Sequence, residues 1–415
     1  MTLSIKSSLR RYLGSTWASA IFDSLRQLIV ANLLTPYQSG LCASFMSIPQ
    51  IALYLNMGLV MAPSVLVPQY QSSGNEYKVQ RFKNSILSFT CFSTLFLFLA
   101  LCLYAAFLHK IPYFLVYSIA AGILIFATQI YLFFLSNYSA ALNFTALSWV
   151  EFCFAGLSFV LQIAAVYFWQ GYGFWLGSIL AHLFILIYTG RNYFKNNRYQ
   201  AVFDSELIKK ATPTGISLLI SSVGYLPFII IAKIFIAMTL GAIDVGYFFL
   251  SIIVISKIAL APKAVAGVIL PRMASLQSTR ANSKETFALF YKAQLLSFAI
   301  TIIIVCAGWF LLEPVVRFIL PNYIQGIPAA KIILLAGLPY SLTDNASRFL
   351  IASKLIKKFI FIIIFTLVTQ IAVSAYLYHV GYTITSLSKF FIWLFSCYAL
   401  MLNLAVFIES RQNKP

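Results

Sequence analysis

The sequence predicts an all-α, polytopic membrane protein of about twelve transmembrane helices. Three observations lead there. Of 415 residues, 61% are hydrophobic and 9% charged, with a mean hydropathy of +0.89, whereas a soluble domain is about 25% charged. At about 20 residues per span plus a short loop, this length accommodates roughly a dozen spans. The basic residues fall mostly between the apolar runs, where they read as topology signals and not as a nucleic-acid surface. A water-soluble enzyme is excluded.

The runs are placed in order at 13–34, 40–67, 85–107, 112–135, 146–168, 174–190, 213–238, 246–271, 290–312, 329–352, 358–378 and 390–408. The first follows a basic start (Lys6, Arg10, Arg11), as in a signal peptide. It is too long for a signal core, holds Asp23 and Arg26, and meets a second span at once, so it reads as a retained helix. The second run is interrupted by Pro49 and Pro63, with Pro68 just beyond, and the eighth by Pro262 and Pro271. Six scattered cysteines (Cys42, Cys91, Cys102, Cys153, Cys306, Cys397) form no CxxC and read as small core residues. Trp17, Trp149, Trp169, Trp175, Trp309 and Trp393 fall near span ends, where a belt role is the default.

With the N-terminus inside, 21 of the 29 Lys and Arg lie in inside segments and 4 (Lys110, Arg317, Lys331, Lys389) outside. The remaining four, Arg26, Lys233, Lys257 and Lys263, fall within spans. This asymmetry predicts both termini in the cytoplasm.

The chain repeats itself. Leu34-TPYQS-Gly40 opens the second span and Leu240-GAIDV-Gly246 the eighth, 206 residues later. Each opens a proline-broken run that leads into a Gln/Ser-rich basic loop, QYQSSGNEYKVQRFK or RMASLQSTRANSKETF. Ser88-Phe89 and Ser297-Phe298 follow at similar distances. Two six-helix lobes, 1–195 and 196–415, are expected, related by an axis along the membrane normal.

Asp244-Val245-Gly246-Tyr247, the long kinked run after it and Leu270-Pro271-Arg272 resemble the polysaccharide-transporter branch of the multidrug/oligosaccharidyl-lipid/polysaccharide exporter superfamily, in particular the O-antigen repeat-unit flippases of Wzx type. LLTPYQSGLCASFMSIPQIALYLNMGL, LPNYIQGIPAAKIILLAGLPYSL and SRFLIASKLIKK are similar to the same family, with Thr35-Pro36 where it more often has Leu-Gly-Pro. The resemblance implies a central cavity between the lobes, alternating access, and an undecaprenyl-diphosphate-linked oligosaccharide as cargo in a bacterial inner membrane. It further implies membrane lipids, a polysaccharide polymerase and a chain-length regulator as partners of a monomer, with no nucleic acid and no cofactor.

Charged groups deep in a bilayer cost at least about 2.5–3.5 kcal/mol, so they are functional candidates by default. Arg26 lies ~20 Å from the inner end of its helix, too deep to snorkel easily. It shares a face with Asp23, three residues earlier. The bland reading is a neutral pair holding the helix in place; the sharper one is a guanidinium that grips a diphosphate in bidentate fashion. Lys257 is mid-span, while Lys263 and Lys233 are near enough to span ends to snorkel. Lys233 is one position from the 206-residue equivalent of Arg26. These four cations are the substrate-binding candidates. Asp23 and His182 are the ion-coupling candidates, although a lone membrane histidine is often a packing residue. Asp344 and Arg348 are spaced for a local i,i+4 ion pair.

No Gly-rich phosphate loop, metal-ligand cluster or paired outer carboxylates is present. With the resemblance and the buried cations, a flippase is expected, not an enzyme. A membrane polymerase or glycosyltransferase should have a larger charged outer loop than 313–328. A drug exporter should carry more buried acids than bases, and a lipid II flippase has additional spans.

Overall fold

The computed structural model describes residues 2–72, 75–107, 113–141, 143–263, 265, 283–353 and 355–412. Among them every regular element is helical. The α-helices are α1 (Thr2–Leu33), α2 (Pro36–Phe45), α3 (Ser47–Leu55), α4 (Pro63–Ser72), α5 (Glu76–Phe107), α6 (Phe114–Ala140), α7 (Phe144–Asn196), α8 (Ser205–Val223), α9 (Leu226–Thr239), α10 (Ala242–Ile258), α11 (Ser283–Ile319), α12 (Ile327–Tyr340), α13 (Asp344–Ala352), α14 (Ile356–Val380) and α15 (Ile384–Gln412).

The chain is a multi-pass membrane protein: eight described stretches are long and apolar enough to cross a bilayer. One of them, Phe144–Lys195, contains two of the sequence runs, the fifth and sixth. The first run is α1, and the second and seventh are broken into shorter pieces. Local chemistry explains the breaks. Thr35 accepts from the Gln38 amide while Gln38 Oε1 accepts from Thr35 N–H, a capping box that starts α2 with Pro36 in its first turn. Met57 and Gly58 both take left-handed backbone (φ 51 and 62) and separate α3 from a 3-10 turn at Leu59–Met61. A Cβ on Gly58 would lie 2.4 Å from the Gly215 carbonyl oxygen, so the turn needs glycine twice over. The helix α10 ends at Ile258, four residues before Pro262, whose ring would strike that carbonyl. Pro271, Arg272 and Arg280 lie outside the described residues.

Two compact units emerge, Met1–Gln38 with Cys42–Leu219, and Ser39–Leu41 with Ile220–Pro415. In the first, α1 packs along α7: Val30 and Leu34 meet Val166, and Phe22 sits edge-on to Phe152 and Phe159 at 5.7 and 5.6 Å. The larger core joins Leu59, Phe82, Ile86, Phe133, Phe134, Tyr193 and Leu207. The α7 hairpin turns at Gln170 (φ 48, ψ −123). Its legs touch backbone to backbone, since a Cβ on Gly173 would lie 1.9 Å from Ala165 O and one on Gly177 would lie 2.4 Å from Gln162 Cα. Small residues permit this approach in lipid, where packing drives helix association. Gly177→Leu is expected to force the legs apart and lower the Tm in detergent by several degrees, as overpacking costs about 1–3 kcal/mol. An unchanged Tm would show that the hairpin tolerates a wider spacing.

In the second unit, Ile258, Val305 and Leu334 join α10, α11 and α12. Phe228, Tyr340, Phe395 and Tyr398 form an aromatic core, with ring centroids 5.3–5.6 Å apart for Phe228–Phe395, Phe228–Tyr398 and Tyr340–Phe395. Gln370 donates to the Phe228 carbonyl at 2.7 Å, tying α14 to α9.

The connection at 197–204 is anchored to the first unit. Gln80 donates to the Arg198 carbonyl at 2.8 Å, and the Asp204 amide donates to Ser85 Oγ at 2.9 Å. Asp204 then starts α8: its Oδ1 accepts the Glu206 and Leu207 amides at 3.1 Å each, and Oδ2 accepts Arg81 Nε at 2.8 Å. The Leu207 amide, and after it the charge of Arg81, hold this carboxyl below the usual carboxylate range. A depressed folded-state pKa stabilises above the unfolded value and is lost as pH falls through the folded one. Amide exchange at Glu206 and Leu207 should therefore accelerate as pH drops below about 4, after correction for intrinsic rates. Asp204→Asn should flatten that dependence, and an equal acid response in the variant would remove Asp204 as its source.

Candidate functional site in the first unit

Each sequence candidate has a definite place. Asp23, Arg26 and His182 are brought into one polar network in the first unit. Lys233, Lys257 and Lys263 lie in the second unit on separate segments.

The network is built on α1, α6 and both legs of α7. Arg26 Nη2 donates to one Asp23 oxygen, and Nη1 donates to Gln162 Oε1 at 2.8 Å. The second Asp23 oxygen accepts Gln27 Nε2 at 2.6 Å, one helical turn on. Gln162 Nε2 in turn donates to Ser178 Oγ at 2.7 Å and to the Phe174 carbonyl at 3.1 Å, crossing between the α7 legs. Ser178 Oγ donates to the same carbonyl at 2.8 Å. His182, one turn beyond, makes the last link, with Nδ1 2.8 Å from the Ser178 carbonyl and Nε2 3.3 Å from Thr128 Oγ1 on α6.

A carbonyl only accepts, so His182 Nδ1 bears the proton. In the neutral ring Nε2 then accepts from the Thr128 hydroxyl. The same hydroxyl could turn to accept from an imidazolium. Phe154 and Tyr131 flank the ring edge-on at 4.8 and 6.2 Å. The Arg26 side chain is 23% exposed and that of Asp23 41%. The guanidinium is thus fixed by two partners yet reachable, an arrangement suited to an anionic ligand.

Gln162, Ser178, Gln27 and Thr128 carry no charge, so charge patterning does not mark them. The available signal was Ser178 and His182 at i,i+4, with a glutamine inside an apolar run.

In the second unit Lys233 is buried on α9, Lys257 is half-buried in the last turn of α10, and Lys263 is exposed. Asp344 and Arg348 do not close the i,i+4 ion pair expected of them. The carboxylate instead accepts the Tyr340 hydroxyl at 3.4 Å, across the break between α12 and α13. A groove of about 410 Å³ opens between α11 and α15, lined by Phe287, Phe290, Tyr291, Leu295, Phe298 and Leu404 among others, with Gln294 and Asn403 as polar lining. Among the Trp residues, Trp149, Trp169, Trp309 and Trp393 are exposed as belt residues should be. Trp175 is not; it is 3% exposed within an aromatic cluster. The Trp17 side chain lies outside the described residues. Among those residues no group of His, Cys, Asp and Glu could hold a metal ion.

No family model matches the chain, and no curated protein matches it. Solved structures do. An inward-facing multidrug resistance MATE family transporter of the MOP superfamily aligns with a TM-score of 0.72 at 14% identity, over 95% of this chain and 94% of that one. The lipid II flippase MurJ, in an inward closed conformation, aligns with a TM-score of 0.71 at 15% identity, over 96% of this chain and 88% of that one. A MOP superfamily transporter from Pyrococcus furiosus, described as having a binding pocket whose reverse polarity suggests a different function, aligns at 0.60 with 13% identity, over 98% and 94%. The chain therefore has the fold of these transporters.

Proposed function

We propose that the protein is a flippase that moves a polyprenyl-diphosphate-linked oligosaccharide, a repeat unit of a surface polysaccharide such as O-antigen, from the cytoplasmic to the periplasmic leaflet of a bacterial inner membrane. The supporting observation is the fixed, partly exposed Arg26 guanidinium at the head of the Asp23–Gln162–Ser178–His182 network. Lys233, Lys257 and Lys263 are its proposed counterparts in the second lobe. The apolar groove between α11 and α15 suits the lipid tail. Lobes 1–195 and 196–415 alternate access, and ion movement through Asp23 and His182 biases the direction. A drug-exporter reading fits less well, because both Asp23 oxygens already accept hydrogen bonds and the membrane-embedded cations outnumber the acids.

The deciding experiment is transfer of polyprenyl-diphosphate-oligosaccharide between leaflets in proteoliposomes, read by access of an added lectin. Transfer above protein-free vesicles supports the reading, and none ends it. Topology is checked separately. Reporter fusions at Arg198 and at the C-terminus should read cytoplasmic and one at Gly171 periplasmic. A periplasmic C-terminus would end the two-lobe model.

A further inference from the structure

A second cluster lies in the first unit, at the end of the helices that the charge count assigns to the outside. Tyr113 precedes α6 and Tyr172 follows the turn of α7; their rings lie 5.6 Å apart at 57° and are 44% and 45% exposed. Beneath them Tyr117 and Trp175, each 3% exposed, make a fixed floor, with Tyr117 5.9 Å from Tyr172 and 5.6 Å from Trp175. Beside the rings Gln38 donates to Gln170 Oε1 at 2.7 Å. The Gln170 amide nitrogen donates to no described residue, and the residue is exposed.

The backbone at this place is costly. Three described residues other than glycine have φ in the left-handed region, and two of them are Tyr113 (φ 66) and Gln170 (φ 48). Tyr113 also occupies the N-cap of α6 without a capping side-chain bond. Asn at 113 and Gly at 170 would meet the backbone demand more cheaply. The sequence instead keeps an aromatic ring and a primary amide there. A belt residue requires neither a left-handed backbone nor an amide neighbour.

Rings on a rigid floor beside a planar amide are what a pyranose needs. The apolar C–H face of the sugar stacks on an aromatic face, and the amide pairs with adjacent hydroxyls. We propose that Tyr113, Tyr172 and Gln170 form a saccharide-binding platform for an uncharged pyranose, since none of the residues forming it is charged. The proposal deepens the transport reading and rests on it only for the presence of a glycan in the cargo.

The experiment uses the full chain in nanodiscs, with chitotetraose, maltotetraose and the acidic tetragalacturonate as probes, followed by saturation-transfer NMR. At least one neutral glycan should bind, with transfer to its axial C–H protons, and more tightly than the acidic one. Tyr172→Ala, Tyr113→Asn and Gln170→Gly should each weaken that binding about tenfold. Tyr113→Asn and Gln170→Gly should hold or raise the Tm, because each relieves backbone energy, so their loss of binding cannot be unfolding. The proposal is overturned if neither neutral glycan binds, if the acidic one binds better, or if these two variants bind like wild type. Leaflet transfer measured on the same preparations separates the two readings. Tyr172-dependent glycan binding without transfer ends the transport reading and keeps the platform. Transfer with variant-independent binding does the reverse.

Discussion

Arg26→Ala is expected to reduce leaflet transfer of the lipid-linked oligosaccharide about 100-fold while insertion and protein level stay normal. A hydrogen bond to a charged group contributes about 1.5–3 kcal/mol, and each 1.4 kcal/mol is a factor of ten; in the proposed role, where this guanidinium grips the cargo diphosphate, its loss accounts for the effect. Arg26→Lys should restore only part of it. An ammonium keeps the charge but cannot hold Asp23 and Gln162 and still present a planar fork to the cargo. Gln162→Leu should fall in between, because it frees the guanidinium from one of its two partners. The competing explanation is structural: alanine leaves Asp23 without its cation, and an uncompensated charge in a membrane helix destabilises. The double variant Asp23→Asn with Arg26→Ala separates the two. It removes the stranded charge, so recovery of transfer would make the pair a scaffold. Persistent loss in a stable double variant, with transfer retained in Asp23→Asn alone, assigns the lost transfer to Arg26 itself.

Much of this fold was legible because a bilayer imposes severe rules on sequence. Spans must be long and apolar, so run length and the proline breaks at Pro49, Pro63 and Pro262 mark helices and interruptions that the structure contains. The deep positions of Asp23 and Arg26 on one face announced their pairing. What stayed hidden was the uncharged half of the network. Gln162 and Ser178 are 16 residues apart, and they meet only because the chain reverses at Gln170 and the legs close on Gly173 and Gly177. Neither periodicity nor charge marks such a meeting. The same reversal converts Trp175 from an expected belt residue into a buried one. Asp344 misled for a local reason. The i,i+4 spacing suits Arg348 on an ideal helix, but α13 begins at Asp344 itself, after the break that follows Tyr340, and the tyrosine hydroxyl becomes the carboxylate's partner.

Asp23→Asn is expected to uncouple transfer from proton movement. Outward movement of an anionic headgroup requires a bias, and the sequence has no phosphate loop to draw it from nucleotide hydrolysis. The proposed source of that bias is an ion gradient. In the network one Asp23 oxygen accepts from Arg26 and the other from Gln27. When a diphosphate takes Arg26, the carboxylate loses its cation and gains an anionic neighbour, and both changes favour taking up a proton. In the proposed coupling, release of the cargo restores the pair and expels the proton, because the Asp23 carboxylate and the cargo diphosphate compete for one guanidinium. Asparagine keeps an acceptor for Arg26 but cannot titrate, so it should preserve protein stability and abolish cargo-dependent proton flux. His182→Ala should act more weakly, since His182 reaches Arg26 only through Ser178 and Gln162, and its exchange of roles with Thr128 would assist proton delivery without being the site of competition. The measurement is cargo-dependent pH change inside proteoliposomes carrying wild type, Asp23→Asn or His182→Ala, at matched protein density. Flux lost in Asp23→Asn and reduced in His182→Ala supports the competition. Flux unchanged in Asp23→Asn leaves the carboxylate as a structural counter-charge, and loss in His182→Ala alone moves the carrier to the imidazole.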